Sequence, residues 1–394
     1  MRGKETLAFG VPLRPVLLLT AIFYLNFLSR LVIAPLLPII EGEFGLGHTQ
    51  AGSLFLFVAA GYCTGLFGSP FISSRLNHRR TILLASIAVG GVMLIVSRSA
   101  SVSAMHRGLF AIGVSAGLYL PSGIAMLTDV VSKKDWGKAL AIHELAPNMA
   151  FVTTPLVVEL LLAFVAWRAI LGILGVCSIL TGFLFLLFGP EGSQKGGTPN
   201  LETLKQILGN PSFWIMAAVF SQAVGGSLGV YTMLPVFLVD EVGMGREVAN
   251  TLVGFSRAFS VLILLLSGMI TDRIGLKRAT VSFLAILGAL TLMLGILHGR
   301  VITPALVFLQ PTAAVSIFPA GLAMVSLIFP SDLRSVAMSL VGIVAFLFGG
   351  GFIPQVIGYL AEVFSFSFSF FLVGVLVLAT LPLLSYLRTS QDFH

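Results

Sequence analysis

The stretch Tyr24-Leu-Asn-Phe-Leu-Ser-Arg30-Leu-Val-Ile-Ala-Pro-Leu-Leu-Pro38 decides the interpretation of the chain, because it places a full charge inside an apolar run. The run extends from Val16 to Ile40, and about 20 helical residues are enough to cross the ~30 Å hydrocarbon core of a bilayer. Arg30 falls near its middle, where a charge costs about 2.5–3.5 kcal/mol even on the mildest scale. We therefore expect Arg30 to face protein or water, and to mark a functional pathway.

The composition is that of a membrane protein. The 394 residues are 57% hydrophobic and only 10% charged, with a mean hydropathy of +1.03, whereas soluble domains carry about 25% charged residues. No cleavage signature precedes the first span, and the two cysteines give no disulfide framework. No phosphate loop, metal-ligand spacing or nucleophile–base motif is apparent, so we expect no cofactor, no enzyme activity and no nucleic-acid binding.

Apolar runs of about 20 residues recur along the chain between short polar breaks, and they predict an all-α integral membrane protein with twelve transmembrane helices. The predicted spans are 15–40, 50–73, 81–98, 103–130, 137–163, 167–188, 211–239, 248–271, 279–297, 303–328, 335–360 and 365–387. One polar interior segment divides them six and six. We predict a six-helix bundle over 1–188, a cytoplasmic linker over 189–210 and a second six-helix bundle over 211–394.

The distribution of positive charge predicts the orientation in the membrane. Of the 23 Lys and Arg residues, 16 fall on the side of the two termini and 5 on the other side, while Arg30 and Arg257 lie within spans. Because cytoplasmic loops carry the excess of positive charge, we predict that both termini are cytoplasmic. The expected location is the cell inner (plasma) membrane.

The two halves of the chain repeat in parallel. The matches are Pro35 with Pro235, Gly45-Leu-Gly47 with Gly243-Met-Gly245, the basic cluster Arg75, Arg79 and Arg80 with Arg273, Lys277 and Arg278, and Pro155 with Pro354. All have offsets of 198–200 residues. Transporters built from two such halves place their site at the interface of the repeats.

The strongest local motif is Gly268-Met-Ile-Thr-Asp272-Arg273-Ile-Gly275-Leu-Lys277-Arg278. A positively charged loop would explain its last two residues, but not Gly-x-x-x-Asp-Arg-x-Gly. The pattern resembles the loop signature of the major facilitator superfamily. That resemblance implies a gating role for Gly268, Asp272, Arg273, Gly275, Lys277 and Arg278, and for Arg75, Arg79 and Arg80 in the first copy. In that copy, Ser74 replaces the acid and Asn77 the second glycine, so the N-half acid that helps to lock the family's outward-facing state has no counterpart.

The resemblance also implies the architecture and the mode of action. Members of this superfamily are built as two pseudo-symmetric six-helix bundles that rock around a site near the middle of the membrane. The expectation is a secondary transporter that works by alternating access. A monomer in the lipid bilayer is the default for this fold.

Most of the first half resembles the anion:cation symporter branch of the superfamily. The resemblance rests on Asn26 to Pro38, Phe44 to Gly52, Gly61-Tyr62, the helix that begins at Arg107, and Ala166-Trp167-Arg168-Ala169. In that branch a first-span arginine contacts an anionic substrate, and Arg30 matches it. Branch members place acids just before this arginine and about seven residues after the fourth-span arginine. Ser29 and Val114 stand there instead, so proton coupling does not follow from the resemblance.

A second intramembrane arginine, Arg257, lies in Gly254-Phe-Ser-Arg257-Ala-Phe-Ser260. It resembles the substrate arginine of monocarboxylate and oxalate-type transporters in the same superfamily. Guanidinium groups bind carboxylates through two parallel hydrogen bonds. Two such residues, one in each half, favour transport of small organic anions, carboxylates above all. The alternative is a structural arginine that caps carbonyl groups of a neighbouring helix.

The fifth span supplies the candidates for proton linkage. Helical spacing places Glu144, Asn148, Pro155 and Glu159 on one stripe, with His143 off it. Polar stripes on membrane helices face a cavity or the bundle interior. Glu144 and His143 are therefore proton-coupling candidates, together with Arg107. Alternatively, Glu144 pairs with Lys138 in a static contact, and Arg107 extends to the membrane interface.

Asn26, Tyr119, Gln222 and Gln355 are further candidates for contact with the substrate, and close helix packing would explain the glycines around the last two. The alternative function is proton-driven efflux of drugs or amphipathic compounds, although the fifth span has few of the glycines typical of antiporters. A transporter-like receptor that moves nothing is a third hypothesis, for which the short loops offer no docking domain.

Overall fold

The computed structural model describes residues 13–191, 195–196 and 200–387, and within them the regular secondary structure is helical, without strands. Twelve helices or helix pairs in these residues are long and apolar enough to cross a membrane. Helices dominate because the bilayer offers no water to backbone N–H and C=O groups, and a helix satisfies them internally. The predicted all-α fold with twelve spans is confirmed. Met1 to Pro12 and the residues from Arg388 onward, which include both termini, lie outside the described residues.

The helices follow one another with short connections. In the first half they are α1 (Leu13–Leu31), α2 (Ile33–Phe44), α3 (His48–Leu76), α4 (His78–Val96), α5 (Val102–Gly117), α6 (Tyr119–Val130), α7 (Trp136–Leu162) and α8 (Trp167–Phe188). In the second half they are α9 (Leu201–Leu208), α10 (Pro211–Val224), α11 (Val230–Val236), α12 (Arg246–Ile274), α13 (Leu276–Ile296), α14 (Ile302–Ile328), α15 (Ser331–Ala345), α16 (Ile353–Val363) and α17 (Phe366–Ala379).

Several spans are interrupted helices. The first span combines α1 and α2, which are separated at Val32. The seventh combines α10 and α11 with wide π-type turns at Gly225–Gly229 and Phe237–Glu241, and a third wide turn, Phe346–Phe352, joins α15 to α16. Such turns occur frequently at functional sites in helical proteins.

The chain forms two compact units. The first comprises Met1–Leu36 with Phe57–Thr198, and the second comprises Leu37–Leu56 with Pro199–His394. Residues 37–56 therefore cluster with the second unit, although in sequence they belong to the first half. The division predicted from the sequence, with its linker at 189–210, stays a prediction.

Small residues let helices approach closely within each unit. In the first unit, a Cβ at Gly61 would collide with the carbonyl oxygen of Phe110, and one at Gly113 with that of Val58, so α3 and α5 touch backbone to backbone. In the second unit, a Cβ at Gly358 would collide with the carbonyl of His48. Close contact of this kind replaces the hydrophobic driving force that is missing between helices in lipid.

The parallel repeat extends to backbone conformation. Gly45 and Gly243 have φ of 62° and 74°, and Asn77 and Gly275 have φ of 73° and 85°. Both pairs are offset by 198 residues. The first pair follows the first and seventh spans, and the second pair separates α3 from α4 and α12 from α13.

Candidate functional site

Arg30 lies in the last turn of α1, just before the interruption at Val32. The carbonyl groups at a helix C-terminus carry partial negative charge, which favours a cation there. The residue is 7% exposed, and its guanidinium carbon lies 3.9 Å from the ring centroid of Tyr62 and 4.5 Å from that of Phe27. Ring faces stabilise a desolvated guanidinium by about 2 kcal/mol. The first unit therefore holds this buried cation in an aromatic environment.

A buried polar network joins the same helix, α1, to α6 and α7. The Tyr119 hydroxyl donates to the carbonyl of Leu19 at 2.7 Å and is 3.0 Å from Nε2 of His143. The His143 ring stacks on Phe23 with centroids 4.4 Å apart, and it is fully buried. The spacing on α7 places His143 off the polar stripe, and in the structure it points into the first unit. His143 thus links α7 to α1 and α6.

Glu144 is placed differently from its neighbour. Its side chain is 54% exposed, and Oε1 lies 3.6 Å from Nδ1 of His143. The ammonium group of Lys138, the partner in the static alternative, donates to Asp135 at 3.0 Å. An accessible carboxylate beside a buried imidazole is an arrangement through which a proton can pass, since carboxylates and imidazoles are the side chains that most often transfer protons.

Arg257 is the corresponding buried cation of the second unit. It is 3% exposed on α12, and its guanidinium carbon lies 4.6 Å from the ring centroid of Tyr231. One terminal nitrogen donates to the carbonyl of Ser227, inside the wide turn of the seventh span. This is the contact expected if Arg257 is a structural arginine that caps a carbonyl group of a neighbouring helix.

The side-chain amides that are candidates for substrate contact differ in burial. Asn26 is buried and donates to a carbonyl of α5 at 3.0 Å. Gln222 is 8% exposed on α10, whereas Gln355 on α16 is partly exposed. Gln310 on α14 is buried and donates to the carbonyl of Gly226 at 3.2 Å, within the turn that also contains Ser227. The second unit thus contains a buried arginine with buried amides on nearby helices, whereas Asn26 in the first unit lies on the same helix as Arg30.

The loop motif lies at a helix junction. Gly268, Asp272 and Arg273 are on the last turns of α12, Gly275 separates the helices, and Lys277 is in the first turn of α13. The charged side chains of this loop are exposed. In the first copy, Arg79 donates to the carbonyl of Leu186 at 2.7 Å. Arg107 is exposed in the first turns of α5, the position expected of an arginine that extends to the interface.

Sequence reasoning did not identify the aromatic partners of the two arginines. Phe27 precedes Arg30 by one helical turn and was therefore detectable from spacing. Tyr62 and Tyr231 lie on other helices, and only the packing of the spans brings them to Arg30 and Arg257. No local signal marks such a pair.

The sequence model of the Major Facilitator Superfamily matches residues 19–309 and 251–392. The chain belongs to this family. Transporters of this family handle small-molecule substrates in a membrane. The protein is therefore a multi-pass membrane transporter rather than an enzyme, as the sequence predicts.

Individual relatives are distant. The "Probable sulfoacetate transporter SauU" of Cupriavidus necator is 22% identical over 294 residues, which cover 68% of each chain. "Multidrug resistance protein MdtM" of Salmonella typhimurium is 25% identical over 200 residues, which cover 50% of this chain and 48% of that one. A solved bacterial homologue of the human lysosomal transporter Spinster superposes with a TM-score of 0.78 at 16% identity, covering 95% of this chain and 96% of that one. That likeness concerns the fold.

Proposed function

We propose that this protein is a secondary active transporter of small organic anions, carboxylates above all, and that Arg30 and Arg257 bind the anion. The observation that carries the proposal is that each unit buries one arginine on a membrane-spanning helix against a tyrosine ring. Burying such a charge is costly, and intramembrane charges mark substrate pathways. The similarity to a protein named as a sulfoacetate transporter supports an anionic substrate.

Asn26, Tyr119, Gln222 and Gln355 are proposed to contribute polar contacts. For symport, the carriers of the proton would be His143 and Glu144, because a buried imidazole and an exposed carboxylate lie 3.6 Å apart. Arg107 is exposed, and it would act only through its positive charge at the membrane surface. Gating is assigned to the Gly268–Arg278 loop and its first copy by the family resemblance.

The test is a thermal-shift screen of organic acids on purified protein at two pH values, because a ligand stabilises the state that binds it. We expect stabilisation by at least one carboxylate or sulfonate, and its loss in Arg30→Lys and Arg257→Lys. Lysine keeps the charge but loses the planar fork. Arg98→Lys and Arg300→Lys, at exposed positions of the two units, are the matched controls. Equal stabilisation of all four variants would contradict the arginine assignment.

Location and orientation complete the proposal. We place the protein in the inner (plasma) membrane with both termini in the cytoplasm, on the basis of the charge distribution. Fusion of a reporter that is active only in the cytoplasm to the C-terminus should give signal. Activity of a reporter that requires export would reverse the orientation.

A second candidate is proton-driven efflux of drugs. It is supported by the similarity to a multidrug resistance protein, which extends over 50% of this chain. Cells that express the protein would then resist cationic drugs. Resistance that depends on Glu144 and is unchanged in Arg30→Lys and Arg257→Lys would support efflux over anion transport.

A further inference from the structure

Three potential metal ligands converge in the second unit. Glu41 is near the end of α2, His48 begins α3, and Asp240 lies in the wide turn that follows α11. One ligand atom from each lies within 4.8 Å of the others. Oε1 of Glu41 and Nδ1 of His48 are only 3.0 Å apart. Two successive spans and the seventh span thus supply one cluster.

The burial of these groups is graded in a way that suits a binding site. Glu41 is 7% exposed, the His48 side chain is 27% exposed, and Asp240 is exposed. A cation entering from solvent would meet Asp240 first and the buried carboxylate last. The His48 ring is positioned by Phe366, with ring centroids 4.8 Å apart.

The charges around His48 call for a counter-cation. Glu41, Asp240 and Glu362 all interact electrostatically with this one imidazole. Glu362 is held in place by the backbone N–H of Thr49 at 2.9 Å. Three carboxylates around one histidine leave an excess of negative charge at a partly buried site. Such groups repel one another unless a cation binds or a proton is taken up.

The donor set fits a first-row divalent metal better than a hard cation. Imidazole nitrogen with carboxylate oxygens suits zinc, whereas magnesium and calcium prefer oxygen ligands alone. Two ligand atoms on a tetrahedral zinc at about 2.0–2.1 Å are about 3.3 Å apart, and the Glu41–His48 separation of 3.0 Å is close to this. Two carboxylates and a neutral imidazole would balance a 2+ charge.

We propose that Glu41, His48 and Asp240 form a binding site for a divalent transition-metal ion of the zinc class, with a fourth position left for water. The bound ion joins the segment 37–56 to the seventh span within the second unit. Its effect is to hold these ends together and to raise the stability of that unit.

The experiment uses the purified full-length protein, treated with chelator and titrated with zinc chloride by calorimetry and by thermal shift. We expect one saturable zinc site in the wild type and a higher melting temperature. Asp240→Asn is the most informative variant, because Asp240 is exposed and its replacement leaves the buried pair intact. It should weaken zinc binding at least ~10-fold, as loss of even outer-sphere partners does. His48→Ala should abolish the site.

Two variants of the same unit are matched controls. His298→Ala removes an exposed histidine that hydrogen-bonds Ser367, and Glu247→Gln removes an exposed acid of α12; both should bind zinc as the wild type does. Three outcomes overturn the proposal. They are a wild type that zinc neither binds nor stabilises, zinc binding that survives Asp240→Asn but not His298→Ala, and an equal response to magnesium. The first of these would leave Glu41 and His48 as a structural hydrogen-bonded pair.

Discussion

The turn between α3 and α4 and the turn between α12 and α13 occupy matching places in the two halves of the chain, yet they differ in the residue that makes the bend. Gly275 has φ 85° and ψ 153°, a region that is essentially restricted to glycine. Asn77 has φ 73° and ψ 165°, nearly the same conformation with a side chain attached. The two turns thus share a backbone geometry, although only one of them has glycine at the bend. The geometry is required for the turn, whereas the residue is replaceable at a cost.

The two buried arginines have similar surroundings but different contacts, and with an offset of 227 residues they are not matching positions of the repeat. Arg30 lies over two aromatic rings at the end of an interrupted helix. Arg257 lies over one tyrosine ring and donates to a carbonyl in a wide turn. Each interruption of a membrane helix presents backbone carbonyls that a cation can approach. The common element is a cation beside a break in a span.

The largest effect should come from the arginines themselves. Replacement of Arg30 or Arg257 by lysine should lower the uptake of an anionic substrate by about 100-fold, because the bidentate contact and the fit to the ring are both lost. Uptake into proteoliposomes measures it, with Arg98→Lys and Arg300→Lys as controls. A loss confined to one of the two variants would show that the halves are functionally unequal.

Gly275→Ala tests the demand of the second turn for glycine. A Cβ in this conformation costs on the order of 1–3 kcal/mol, so the melting temperature should fall. Gly268→Ala is the matched control, because Gly268 lies inside α12 and a Cβ there has open space. A melting temperature equal to that of the control would show that the turn relaxes.

The missing acid of the first copy gives a prediction on transport. If Asp272 contributes to gating, Asp272→Asn should slow transport by about tenfold, the order of one charge-assisted hydrogen bond. Ser74→Asn changes the matching position of the first copy without removing a charge, and it should have little effect. Similar slowing by both would mean that an asparagine amide in either turn impairs transport, and the slowing of Asp272→Asn would then not report the loss of the carboxylate.

The twelve spans were predictable because length and apolarity alone decide whether a segment crosses a bilayer. Their ends were less so. The first helical span continues to Phe44, beyond the predicted residue 40, since polar residues extend a helix into water. Arg30 and Arg257 were detectable because charge is rare in apolar runs. The cluster of Glu41, His48 and Asp240 was not, because Asp240 is far along the chain and only packing brings it near.

The smallest effect, and the most direct test of the two turns, is Asn77→Gly. Glycine removes the cost of holding a side chain in this conformation. It also removes a helix cap, since Oδ1 of Asn77 accepts from the N–H of Arg80 at 2.9 Å, but replacing a cap by glycine costs only a few tenths of a kcal/mol. The net expectation is a stabilisation of up to about 1 kcal/mol, seen as a small rise in melting temperature. Asn77→Ala is the control, because it loses the cap and keeps the strain, and it should be the least stable of the three. Should glycine lower the melting temperature as alanine does, the cap outweighs the backbone strain, and asparagine would be the better residue for this turn.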